Sequence, residues 1–393
     1  MGRGERFRVV VLGARFGGLA VVHRLRRLMG DRVTLTVVDQ RATAVFRPAL
    51  VEAMARPPVF VRSLRIPLDR AVGRAGTFLN DRAVAIDAHR RLVHLASRRP
   101  LPYDVLFWAT GADAAWSVVE GLSPATGGLC EDFLARHAAA ANATWTGGRI
   151  LFVAGPYRAD PRATPQPASA CECPLYEAAF LFDQALRRHG RRDHTEVVVV
   201  SPAGVVGEAL GPRGRARLQD LLDTRRIRVV TGARYVRVEP GRLVLADGAL
   251  KAERMIWIPP YAGSDLARRS GLDDGYGWVP TTGHGRHRDW PDIYAVGDLA
   301  ARLPKTAHAA VTQARAAVDH WVRTVRGQSP PAPWHPASVT LLDTGDGRAL
   351  LAYGPGPVGD AREHVVHARW AAWVKDLLAW LYVRSDGRLP FTP

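Results

Sequence analysis

Val9-Val10-Val11-Leu12-Gly13-Ala14-Arg15-Phe16-Gly17-Gly18-Leu19 is the stretch on which the fold turns. A β-branched run breaks into a glycine-rich turn, an apolar stripe follows through Met29, and Val33-Thr34-Leu35-Thr36-Val37-Val38 reads as the next strand, closed by Asp39. The pattern is strand, phosphate turn, helix, strand. Such a turn lets the amides of a helix N-terminus face a pyrophosphate, and an acid about 20 residues further on takes an adenosine ribose hydroxyl. Asp39 suits that part. One position departs from G-x-G-x-x-G: its second glycine is Arg15, whose guanidinium can instead hydrogen-bond a diphosphate. The bland alternative is a βαβ unit that binds no dinucleotide.

A chain of 393 residues is long for one domain and comfortable for two plus an appendage. Lys and Arg number 54 against 37 Asp and Glu, a net charge of +17, with the arginines scattered along the chain. This balance favours anionic surfaces, yet a high-GC or heat-adapted genome produces the same scatter, and no nucleic-acid motif accompanies it. Three cysteines do not make a structural disulfide framework, and no apolar leader precedes the first strand. The expected location is the cytoplasm. No apolar run is long enough to cross a bilayer, so membrane association would be peripheral.

Phe46-Arg47-Pro48-Ala49-Leu50 falls where a loop leaves the second strand, and residues 77–96 read as a small antiparallel excursion. Val105-Leu106-Phe107-Trp108-Ala109-Thr110-Gly111 is a buried strand ending in a tight turn, a place where backbone comes close to a flat ligand. Near Gly148 a second unit opens with Arg149-Ile150-Leu151-Phe152-Val153-Ala154-Gly155, but Pro156 and further prolines follow, so a second dinucleotide fingerprint is missing. Pro174 then starts a helix, Glu196-Val197-Val198-Val199-Val200 is a strand, Gly211 to Arg226 a basic amphipathic helix, and 241–258 a hairpin followed by a buried strand. Alternation of this kind predicts an α/β fold with parallel sheets. Asp292-Ile293-Tyr294-Ala295-Val296-Gly297-Asp298 returns to the first unit, a helix runs from about His308 to Arg326, and a Pro-rich linker leads to the appendage, residues 334–393.

The Gly13 turn, Ala109-Thr110-Gly111, Ala295-Val296-Gly297-Asp298 and Pro304-Lys305-Thr306 resemble the FAD-binding flavoproteins with two Rossmann-like domains. Arg15-Phe16-Gly17, Phe46-Arg47-Pro48, Ser169-Ala170-Cys171-Glu172-Cys173-Pro174-Leu175-Tyr176-Glu177 and Pro259-Pro260-Tyr261 narrow the resemblance to the sulfide:quinone oxidoreductases. The resemblance implies an FAD-binding domain in two parts, 1–112 and 287–328, around a second Rossmann-like domain, 113–286, with a quinone- and membrane-facing region at 334–393. It implies FAD held at Gly13, Arg15, Phe16, Gly17, Gly18, Asp39, Arg47, Thr110, Gly111, Gly297, Asp298, Lys305 and Thr306. Cys171 matches the family's redox cysteine, Glu177 a carboxylate proposed to move protons, and Cys130 a further cysteine of the family. Partners implied are quinone, sulfide or another small thiol, the inner face of the cell membrane and a possible second copy of the chain.

Pro174 at the first helical position leaves Cys171 and Cys173 next to a positive helix end, which predicts stabilised, nucleophilic thiolates. Both would otherwise be small core side chains, and Glu177 a surface carboxylate at the helix start. The family mechanism uses a second redox cysteine in the appendage, where this chain has Thr340. Three repairs stay open. Cys173 pairs with Cys171, across roughly 6.5 Å between Cα atoms in extended backbone, a strained and easily reduced bridge; Cys130 pairs with it instead; or sulfide oxidation is lost and another donor serves. In the appendage, Trp370, Trp373, Leu377, Trp380 and Leu381 share one helical face, read as an interfacial helix, with a core or dimer helix as the alternative. A single-chain NADH:quinone oxidoreductase and a flavin-bound interaction protein are the rival functions.

Overall fold

The computed structural model describes residues 6–159, 167–169, 172–301, 304–335, 337–354 and 362–388. The main elements, labelled in chain order, are β1 (Phe7–Leu12), α1 (Phe16–Met29), β2 (Val33–Asp39), β3 (Thr77–Asn80), β4 (Val105–Trp108), β5 (Gly148–Ala154), α2 (Cys173–Arg188), β6 (Thr195–Val200), α3 (Pro212–Thr224), β7 (Arg228–Val230), β8 (Arg254–Ile258), β9 (Ile293–Ala295), α4 (Ala307–Val325), β10 (Ser338–Asp343), β11 (Ala349–Gly354), β12 (His364–Ala368) and α5 (Arg369–Arg384). The first sheet has the order β9-β4-β1-β2-β3 and is parallel throughout, with Val11 opposite both Val37 and Phe107. β1 and β4 lie inside it, which explains their unbroken β-branched and aromatic runs: both faces are covered, one of them by α1 and α4.

The second sheet, β7-β6-β5-β8, is also parallel, so the expected α/β class with two Rossmann-like sheets is what the chain builds. β9, almost 190 residues after β4 in the sequence, lies beside it, the predicted return to the first unit. Two expectations differ in detail. Thr77–Asn80 extends the parallel sheet against β2, leaving only Ala83–Asp87, Leu92–Leu95 and Leu101–Pro102 as the antiparallel excursion. Arg47–Met54 winds into 3-10 turns rather than open loop, because Ala49, Leu50, Ala53 and Met54 bury themselves under α2 and the helix Asp132–Ala143. The appendage is an antiparallel β10-β11-β12 sheet followed by α5, and α2 packs on β10.

Candidate active site

The carboxyl ends of β1, β4 and β9 open into a cleft of about 1090 Å³ that runs on to the N-terminus of α2 and to the appendage. At its sheet end the glycines are there for space. Gly13 has φ +84°, and a Cβ on it would stand 2.5 Å from the Ala109 carbonyl oxygen; on Gly18 it would stand 1.8 Å from the Gly13 carbonyl oxygen. Gly17 meets Val296 at 3.2 Å on the same test. Asp39 closes the turn, its Oδ2 accepting the Ala14 N–H at 2.8 Å and its Oδ1 the Arg41 N–H at 2.9 Å. Gly13→Ala is expected to lose bound flavin on purification and to melt earlier, by about 1–3 kcal/mol of backbone strain; flavin absorbance per chain and a melting curve check this.

Opposite this turn, Thr110 Oγ1 accepts the Trp108 Nε1–H at 2.9 Å, and Gly111 and Gly297 take φ of +80° and +72°. The Gly297 N–H donates to Gln313 at 2.8 Å, and Thr306 caps α4 by accepting the Ala309 N–H at 3.2 Å. Lys305 is 2% exposed. Its Nζ donates to the carbonyls of Asp298 and Ala300 and lies 4.2 Å above the Trp278 ring, while burial draws its pKa down to about 8. Phe16 borders the cleft, but its ring packs 4.8 Å from Tyr382 of α5 and 5.7 Å from Phe46.

Glu131, not singled out in the sequence, gathers the arginines. Arg15 reaches it at 3.0 Å, Arg41 at 3.2 Å and Arg47 at 2.6 Å. Burial pushes the Glu131 carboxyl up, but Arg15, Arg47 and Arg41 outweigh it and bring it down to about 2. A carboxylate held low contributes stability above its ordinary value of 4.5 that is lost as pH falls toward about 2. Thermal melts of the parent are therefore expected to fall more steeply over that window than those of Glu131→Gln. Arg47 Nε is buried with no partner among the described residues, although its Nη2 is paired. A buried donor left free at the wall of a cleft with two glycine-enforced close approaches fits an anionic dinucleotide such as FAD.

At the far end, Cys173 is the first residue of α2 and its Sγ lies 3.9 Å from Thr340 Oγ1 of β10. Cys171 lies outside the described residues. The expected stabilised thiolate at position 173 is not what the surroundings dictate: burial and the neighbouring Glu172 push this thiol up to about 12. Helix N-termini act on thiolates through a modest field, and removal of water outweighs it here. Cys130, half-buried, is likewise pushed up to about 11 by burial. Glu177 is not a surface carboxylate: it is 5% exposed, forms an ion pair with Lys375 of α5, and accepts the Asp343 N–H at 3.2 Å. Both Glu177 and Lys375 border the cleft, beside Val339, Leu341 and Leu378.

α5 lays Ala371, Lys375 and Tyr382 on the body of the protein, and turns Trp370, Trp373 and Trp380 outward at 51%, 65% and 56% exposure. Leu377 and Leu381 are half-buried at the edge of that face. No helix among the described residues is long and apolar enough to cross a membrane.

The sequence signature of the pyridine nucleotide-disulphide oxidoreductases matches residues 7–314. The sulfide-quinone reductase of Aquifex aeolicus (strain VF5) is 22% identical over 394 residues, covering 93% of this chain and 88% of its own length. The mitochondrial sulfide:quinone oxidoreductase of Mus musculus is 21% identical over 366 residues, covering 88% of this chain and 78% of its own. Among solved structures, the sulfide:quinone oxidoreductase of Aquifex aeolicus has a TM-score of 0.83 at 18% identity, with 96% of this chain and 92% of that one covered.

Proposed function

This chain belongs to the pyridine nucleotide-disulphide oxidoreductase family and is an FAD-dependent oxidoreductase, and from that premise we propose that it works in the sulfide:quinone manner. Two electrons come from sulfide or another small thiol at the cysteine side and leave to a membrane quinone. The observation that carries this reading is a single cleft that joins Gly17, Asp298 and Lys305 to Cys173 and Glu177 and ends against apolar residues of the appendage. Arg15, Arg47, Thr110, Gly111, Asp298 and Lys305 line it and would hold FAD, with the turn at Gly13, Gly18 and Asp39 behind them. Bound there, FAD supplies a two-electron acceptor that an oxidised quinone can discharge.

Thr340 cannot carry sulfane sulfur, so the partner of Cys171 in this reading is Cys173. Hydrosulfide attacks the Cys171 sulfur of a Cys171–Cys173 bridge; the S–S bond breaks, Cys171 keeps the added sulfur as a persulfide, and Cys173 leaves as a thiolate with the electron pair. A thiolate whose acid is held up at about 12 is a slow leaving group but a strong nucleophile, and its electron pair would pass on to bound FAD. The buried Glu177–Lys375 pair, at the apolar end, would pass the proton that quinone reduction consumes. The exposed tryptophans of α5 would rest in the headgroup layer of the inner face of the cell membrane.

The test is an anaerobic addition of sulfide to the flavin-loaded protein, followed by quinone, while flavin absorbance is recorded. Bleaching by sulfide and recovery on quinone is the expected result. Absence of bleaching with flavin firmly bound overturns it and selects the second reading, favoured by the Thr340 hydroxyl: a flavoprotein that has lost sulfide oxidation and serves another donor or a partner.

A further inference from the structure

The second sheet keeps the strand order of a nucleotide-binding unit, β7-β6-β5-β8. In that order a dinucleotide lies across the carboxyl ends of the strands, its diphosphate at the N-terminus of the helix that follows the first strand and its adenosine ribose at the end of the second. In this chain those two places are the start of α2 and Ser201, just past β6. Glu172 bridges them. It is 2% exposed; its Oε1 accepts hydrogen bonds from Ser201 Oγ at 2.5 Å and Tyr176 Oη at 2.8 Å, and its Oε2 accepts the Glu208 N–H at 3.0 Å.

We propose that Glu172 is a resident occupant of the second unit's dinucleotide site, a carboxylate of the chain that takes the anion position and excludes NADH and NADPH. Among the described residues, Ser201 Oγ, Tyr176 Oη and the Glu208 N–H all donate to Glu172, so none of these three is free for an incoming diphosphate. It would also meet like charge, since Glu208, held on Ala168 N–H at 2.8 Å, stands beside the same cleft. The turn after β5 is closed as well. A Cβ on Gly155 would stand 2.2 Å from Pro260 N, so this glycine serves a contact with residues 259–260 rather than backbone approach to a phosphate. A family whose fold takes pyridine nucleotides is thereby turned to another donor, whether or not that donor is sulfide.

The flavin-loaded parent, Glu172→Ala and Glu172→Gln are titrated with NADH and with NADPH, following nicotinamide fluorescence and ligand saturation-transfer NMR, with ADP-ribose as competitor. The parent is expected to bind neither nucleotide at millimolar concentration. Glu172→Ala is expected to gain at least about tenfold in affinity, displaced by ADP-ribose, and Glu172→Gln a smaller gain from the lost charge alone. Binding by the parent overturns the proposal, and so does an unchanged affinity in variants shown by circular dichroism and flavin content to be folded. If Glu172→Ala does not fold, Glu172→Gln and Ser201→Ala, which removes one tether of the carboxylate, decide the question by the same readout. Sulfide bleaching of the parent is measured separately, so failure of the nucleotide result leaves the sulfide result standing.

Discussion

Lys375→Ala is expected to destabilise the protein by about 3–5 kcal/mol and to loosen α5 from the body. Lys375 is 5% exposed, and its ammonium is the partner of Glu177, itself 5% exposed, with Glu52, also 5% exposed, close by. Burial, opposed by Glu52 and Asp376, draws Lys375 down to about 8, so at neutral pH it still carries its charge beside Glu177 and Glu52. Removing it leaves Glu177 buried without its ion-pair partner, while Glu52 keeps Arg56 at 2.8 Å. The expected loss is therefore larger than for any exposed pair, which is worth roughly 0–1 kcal/mol. Denaturant unfolding checks the magnitude. The combination Lys375→Met with Glu177→Gln should recover most of the stability, because both charges go together and the volume stays. Its quinone reduction should stay depressed, since the proposed proton carrier is gone.

What could be read beforehand was local. β1, α1 and β2 are contiguous in sequence, and their alternation, glycine turn and closing acid are set by contacts within about 30 residues. The same holds for Pro174, which sits in the first turn of α2 one residue after its start, and for the apolar run of β4. The site's electrostatics are not local. Glu131 receives arginines from 84 to 116 residues away, and none of them is marked by periodicity. Tyr382 lies 5.3 Å from Phe46 and holds α5 over the Arg-Phe-Gly turn, a contact between the two ends of the chain. Glu172 lay in plain view inside the Cys-x-Cys motif, but its partners Ser201 and Glu208 belong to the next strand and loop. The stabilised thiolate expected at Cys173 fails because a helix terminus is legible in the sequence and burial is not. In the folded chain burial is the larger effect.

Cys173→Ser is expected to slow sulfide-driven flavin reduction by about 10³-fold or more, the order expected when one member of a reacting pair is removed. The Ser hydroxyl preserves size and the contact with Thr340, so flavin content and melting should hardly change. The companion experiment moves the sulfur. Cys173 Sγ and Thr340 Oγ1 are 3.9 Å apart, so Thr340→Cys places a thiol on β10 within contact distance of Cys173, two residues after Cys171 in the sequence. In the double variant Cys173→Ser with Thr340→Cys, the two-cysteine arrangement of the sulfide:quinone family is re-formed, and bleaching by sulfide should return. Rapid-mixing absorbance, with mass spectrometry of the trapped persulfide, reads both. Full sulfide activity in Cys173→Ser alone would remove Cys173 from the reaction. Cys130→Ser would then be the variant to lose activity, since Cys130 is the remaining thiol bordering the same cleft.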